Sequence, residues 1–190
     1  MSEFVQPPSS TTQSGWLNNL EIRHLTSDDL VALEWDGEYT HFRRVYNQVY
    51  NRMRNGLALM WGADLQQVGL IGQAFVQFNR SSSPSIPNKS ESAYIHSFRV
   101  KSSYRRMGIG SAIMDNIEGD LILRGYQSVS LNVSISNFSA RSFYSHRGYS
   151  ILESDPGEWS YYDDKGILRH MHEPGWRMSK DLGEYVDQNS

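Results

Sequence analysis

The run SAYIHSFRVKSSYRRMGIGSAIMDNI, residues 92 to 117, constrains the fold more than any other stretch. Its first part, Ala93 to Val100, has the alternation of a strand, with Tyr94, His96 and Phe98 expected on one face and Ile95, Ser97 and Arg99 on the other unless a bulge intervenes. Its last part sets Ile109, Ala112, Ile113, Ile117 and Leu121 at helical spacing, with Gly125 available to end the helix. Between them stand Arg105, Arg106, Gly108 and Gly110. A strand that enters a helix through a glycine loop presents unpaired backbone N–H groups at the positive end of the helix dipole. Glycine permits φ > 0 and close approach of an anion, and arginine adds charge and directed donors. The stretch therefore reads as a diphosphate cradle. A P-loop would need lysine between Gly110 and Ser111, and a dinucleotide fingerprint would need glycine where Ile113 stands. Taken alone, the pattern fits a glycine turn with solvated arginines equally well.

The flanking sequence extends the alternation of strand and helix. Leu20, Ile22 and Leu25 suggest a first strand, and Thr26 with Asp29 a capping-box start for a short helix to about Trp35. Phe42, Val45, Tyr46, Val49, Tyr50 and Met53 form the apolar stripe of a second helix that Gly56 can close. Residues 57 to 62 and 68 to 78 read as antiparallel strands joined by a turn around Ala63-Asp64. The stretch RSSSPSIPNK, residues 80 to 89, reads as a loop. Val129, Leu131 and Val133 mark a half-buried strand, and Asn137 can cap a helix bearing Ala140, Phe143 and Tyr144 that Gly148 stops. Beyond a strand at Tyr149 to Leu152, a long connection containing the turn Asp163-Asp164-Lys165-Gly166 leads to a closing strand in WRMSKDL, residues 176 to 182. This order predicts an α/β fold with a mixed central sheet flanked by helices. One domain over residues 19 to 182 is expected, between a polar tail at 1 to 18 and a short tail at 183 to 190.

Composition narrows the functional classes. With no cysteine, thiolate zinc sites, disulfides and cysteine nucleophiles are excluded. A net charge of -3 from 18 basic and 21 acidic residues predicts no general attraction to nucleic acid or anionic membrane, so an anion site must be local. No apolar run approaches the roughly 18 residues that would span a bilayer. Residues 1 to 13 contain neither a basic nor an apolar leader segment, and a cytoplasmic setting is expected.

Arg105-Arg106-Met107-Gly108-Ile109-Gly110 resembles the Arg/Gln-x-x-Gly-x-Gly/Ala signature of the Gcn5-related N-acetyltransferases, the GNAT family. Downstream, NFSARSFYSHRGY, Asn137 to Tyr149, resembles that family's Asn-x-x-Ala-x-x-Phe-Tyr-x-x-x-Gly-Phe/Tyr block. The two motifs in this order, with a strand between them, are specific over residues 93 to 152; from about 20 to 92 the likeness is architectural.

The resemblance implies a mostly antiparallel sheet with one splayed strand pair that holds acetyl-coenzyme A as co-substrate. Backbone groups of Phe98, Arg99 and Val100 would pair with the pantetheine arm, and Arg105, Arg106, Met107, Gly108, Ile109, Gly110 and Ser111 would hold the pyrophosphate. A bulge near Phe98 would aim a backbone N–H at the thioester carbonyl. Tyr144 matches the family's general acid, a phenol able to protonate a leaving thiolate of comparable basicity. Asn137 would contact the pantetheine arm, cap its helix, or both. Where many members carry a glutamate base this chain has Tyr94, so His96 is the candidate for taking or relaying the amine proton, with Glu91 or water as alternatives.

The implied function is direct acetyl transfer to a primary amine of a small molecule or protein by a monomer or homodimer without a metal. An acyl-coenzyme A sensor of the same fold that lacks an effective base is the alternative. Two further stretches bear on it. EWDGEY, Glu34 to Tyr39, sets carboxylates beside aromatics and could draw a cationic amine or be a solvated loop. His170 and His172 in HMHE share a strand face, but no partner cluster for a metal is evident.

Overall fold

The computed structural model describes residues 19 to 79 and 92 to 183. The expected tails, apart from Gly183, and the loop at 80 to 91 with Glu91 lie outside the described residues.

Seven strands form the main sheet: β1 Leu20–His24, β2 Ala58–Leu65, β3 Gly69–Asn79, β4 Ser92–Val100, β5 Ser128–Ser134, β6 Ser150–Asp155 and β9 Gly175–Asp181, in the order β1-β2-β3-β4-β5-β9-β6. Only β4 and β5 run parallel. That pair is joined by a crossover through helix α2, Ile109–Leu123, the kind of connection that parallel neighbours require. The mixed, mostly antiparallel sheet agrees with the sequence reading.

Helices cover both faces because the strands alternate two apolar sets. On one face α1, Arg43–Arg54, buries Tyr46 and Val49 against Leu25, Met60, Leu70 and Phe75. On the other, α2 buries Ile113, Ile117 and Leu121 against Ile71, Ile95 and Leu131. Each such side chain contributes roughly 1.5–3 kcal/mol of burial. Helix α3, Phe138–His146, closes the α2 side, and Asn137 starts it by accepting a hydrogen bond from the Ala140 N–H at 3.1 Å.

Three segments differ from expectation. Thr26 and Asp29 do form a capping box, but Asp29 is also gripped by Arg23 of β1 at 2.7 Å. The chain then makes two single-turn 3-10 helices, Ser27–Asp29 and Ala32–Glu34, the second of which ends at the left-handed Trp35. The turn expected at Ala63-Asp64 falls instead between Leu65 and Gly69, because Ala63 is fully buried within β2 and Gln67 and Gly69 supply the positive φ angles of 68° and 89°. The long connection is an antiparallel hairpin, β7 Glu158–Tyr162 and β8 Leu168–His172. Its turn is held by the buried Asp163 carboxylate, which accepts from the N–H groups of Lys165 and Ile167 and from Arg169.

Candidate active site

Strands β4 and β5 pair from Ser92↔Ser128 to Ile95↔Leu131 and no further, although β4 continues to Val100 and β5 to Ser134. A cavity of about 230 Å³ occupies the opening, lined among others by His96, Phe98, Asn132, Asn137, Ala140 and Tyr144. The splay coincides with a bulge: Phe75 pairs with His96 but Gln73 with Arg99, so β4 carries one residue more than β3 across this step. Ser97 takes φ 53°, the left-handed region that a serine enters at a cost on the order of 1 kcal/mol. Gln73, fully buried, donates from Nε2 to the Ser97 carbonyl at 3.4 Å.

The extra residue breaks the alternation of β4. Ile95 and Phe98 both turn to the α2–α3 face, where the Phe98 ring lies 6.2 Å from Phe143 and 6.3 Å from Tyr144. His96 and Arg99 both turn to the α1 face. There His96 stacks on Tyr94 at 5.9 Å and meets the edge of Phe75 at 5.7 Å. The sequence pattern had grouped Phe98 with His96; the bulge separates them.

The loop from β4 to α2 is tied down at its base. Arg105 Nε donates to the Val100 carbonyl at 2.9 Å, and Tyr104 is buried. Arg106 and Gly108 take positive φ angles of 62° and 85°, and Gly108 is the N-cap of α2. A Cβ at Gly108 would meet nothing within 4 Å, so the space beside it is open to an approaching group, while the φ itself demands glycine. At Gly110 a Cβ would sit 3.5 Å from Phe98 and 3.6 Å from Phe143, ordinary contacts that leave room for a methyl group. Among the described residues no side chain caps the N-terminus of α2, and its first N–H groups lie on the same stretch of chain as the splayed edge.

Burial governs the titratable groups here. His96 is pushed down to about 4, chiefly by desolvation, with Arg52 and Arg99 adding to the effect, and its Nδ1 lies 3.2 Å from Ser97 Oγ. Its ring is therefore neutral at pH 7. Burial pushes the Tyr144 phenol well up, so it keeps its proton across the physiological range. Tyr94 is raised by the same cause.

Beside the α1 face stands an aromatic wall that the sequence reading missed. Phe42 lies 4.8 Å from Tyr161 and 6.2 Å from Trp159 of the β7–β8 hairpin. The signal was present, since Trp159 and Tyr161 alternate just before a turn sequence. EWDGEY does not supply three free carboxylates: Glu34 is buried and accepts from Arg43 at 2.6 and 2.8 Å and from Thr40 at 2.8 Å, which holds its carboxyl below the usual range. His170 pairs with Ser160 at 2.8 Å, and no group of three or more His, Cys, Asp or Glu suited to a metal ion occurs among the described residues. No helix among them is long and apolar enough to cross a membrane.

Comparison with known proteins agrees with this geometry. Over 106 residues the chain is 27% identical to the N-alpha-acetyltransferase daf-31 of Caenorhabditis elegans, covering 55% of this chain and 53% of that one, so it spans about half the length of the curated relative it matches. The ribosomal-protein-S18-alanine N-acetyltransferase of Escherichia coli superposes with a TM-score of 0.63 at 17% identity, covering 90% of this chain and 99% of that one. Naa20 of Chaetomium thermophilum, solved with a bisubstrate analogue, gives 0.64 at 22% identity, covering 89% and 90%. These two likenesses are of fold. The model of the acetyltransferase (GNAT) family matches residues 21–149, more than half the chain, and the protein belongs to that family.

Proposed function

We propose that the protein is an acetyl-coenzyme A-dependent N-acetyltransferase that passes the acetyl group directly to a primary amine. The observation that carries this reading is the splayed β4–β5 cavity, with Tyr144 and His96 in its lining and the Gly108 turn at the head of α2 beyond it. The bound co-substrate supplies an acyl group already activated as a thioester. The chain's residues do the rest. The free edge of Phe98 to Val100 offers backbone groups to the pantetheine arm, because β5 no longer pairs with it. Arg105 to Ser111 surround the pyrophosphate end. Asn137 caps α3 through its side-chain oxygen, leaving its amide N–H₂ for the arm.

Tyr144 keeps its proton through burial and gives it to the departing sulfur, a thiolate that the same desolvation makes more basic. His96, neutral at pH 7, receives the amine proton through water. A conjugate acid near 4 does not hold that proton for long, so the role is a relay rather than a reservoir. The likeness to an N-alpha-acetyltransferase supports an α-amine as one class of acceptor.

The weak basicity of His96 is also the one observation that favours the sensor reading. One experiment decides between them. The protein is mixed with acetyl-coenzyme A and a panel of peptides, polyamines and amino acids, with thiol release and product mass measured. Acetylated product supports the enzyme; saturable coenzyme A binding without product on any amine would establish the sensor.

A further inference from the structure

We propose that Arg99 recognises a carboxylate on the acceptor, so that the protein selects amines bearing an acidic group a few bonds from the reacting nitrogen. This rests on the N-acetyltransferase reading. The bulge at Ser97 turns Arg99 to the face shared with His96, which lines the cavity. Its guanidinium lies 4.1 Å from the centre of the Tyr39 ring and 4.9 Å from that of Phe42, and donates to the Tyr46 hydroxyl at 3.1 Å. Three aromatic residues thus hold a half-buried cation in a fixed orientation.

Among the described residues no carboxylate forms an ion pair with it. Arg99 differs from the other arginines without an ion pair in being held between the rings of Tyr39 and Phe42 and bonded to Tyr46. Of the three acids on the neighbouring segment, Glu34 is committed to Arg43, and neither Asp36 nor Glu38 forms an ion pair with Arg99. Lys101, two residues along, adds a second cation, 5.8 Å over the Trp35 ring. A guanidinium has five N–H donors, and only one is used at Tyr46, so a bidentate carboxylate can still be taken up. Removing a cation from water without a counter-charge is costly, and an acceptor carboxylate would offset that cost. Arg99 follows the bulged Ser97 and shares the face of His96, so an acceptor whose amine approaches His96 brings a carboxylate of the same molecule toward the guanidinium.

The test uses matched pairs: free amino acids against their amides, and peptides beginning with Asp or Glu against the same peptides with Asn or Gln. The first pairs present an α-carboxylate and the second a side-chain carboxylate, so the arms separate the two sources. We expect kcat/KM about tenfold to a hundredfold higher for the acid of at least one pair. In Arg99→Gln the ratio should fall to near one, mainly through KM, and Arg99→Lys should restore part of it. Coenzyme A should raise the Tm of both variants as it does that of the wild type. Equal use of acids and amides, an unchanged ratio in Arg99→Gln, or loss of the coenzyme A effect would each overturn the proposal. The last would assign the guanidinium to the donor. If no amine is acetylated, the transferase reading fails, and calorimetric titration of the same pairs into the protein with coenzyme A decides Arg99: an acid preference abolished by Arg99→Gln supports the proposal, and no preference overturns it.

Discussion

Acid should destabilise the protein through His96, and the size of the effect follows from its surroundings. A histidine held at about 4 in the folded state and at the ordinary 6.5 when unfolded binds more protons in the unfolded state between those values. Stability therefore rises with pH across that window and is lost as pH falls from about 6.5 toward 4. Moving from the ordinary 6.5 to about 4 corresponds to roughly 3 kcal/mol, of which about 2 kcal/mol is gone by pH 5. For a chain of this size that is a fall in Tm of roughly 4–8 °C. His24 is shifted the same way by burial and adds to the wild-type slope, so the comparison must be with a variant. His96→Gln keeps a polar side chain that does not titrate. Urea unfolding of both proteins at pH 7 and pH 5 should show the wild type losing about 2 kcal/mol more than the variant. Equal losses would mean that His96 titrates normally, and the argument that burial keeps its ring neutral would fall with that result.

Other outcomes follow from the same site. Tyr144→Phe should slow turnover at least tenfold at saturating acetyl-coenzyme A while the affinity measured by calorimetry stays within about twofold; an unaltered rate removes the phenol from the acid role. Gly108→Asp places a Cβ at φ 85° and a negative charge at the head of α2, and should weaken coenzyme A binding at least tenfold, as read by calorimetry. Asn137→Ala removes the cap of α3 and should cost about 1 kcal/mol in urea unfolding, a loss that Asn137→Asp should largely avoid.

Most of the sheet order could be read from the sequence because its signals are local. Gly56, Gly125 and Gly148 take positive φ angles of 67°, 82° and 87° just past the helices they were expected to end, and alternation in β5 needed only Val129, Leu131 and Val133. What escaped the reading depends on distant partners. The 3-10 turns after β1 exist because Asp29 is held by Arg23 and Leu33 is drawn inside. The Asp163 turn is stable because one carboxylate receives donors from residues two, four and six positions along the chain. Composition said that EWDGEY was acidic; only the folded chain reveals that Arg43 has already claimed Glu34.

The bulge at Ser97 joins the legible and illegible parts. A strand with strict alternation would send Phe98 to the α1 face with His96, and Arg99 to the α2 face among Ile95, Ile113 and Ile117. There a guanidinium would have to be desolvated among aliphatic side chains at a cost of several kcal/mol. One inserted residue reverses both. Phe98 joins the apolar cluster beside Phe143 and Tyr144, and Arg99 emerges into a setting of aromatic rings and water. The same insertion brings β4 out of register with β3 where its pairing with β5 has already ended at Ile95, so the edge bordering the cavity is free to bind something else. The strain at Ser97 and the buried amide of Gln73 behind it thus belong to a single device: they set the open edge, the ring that closes one side of it, and the cation that faces the other.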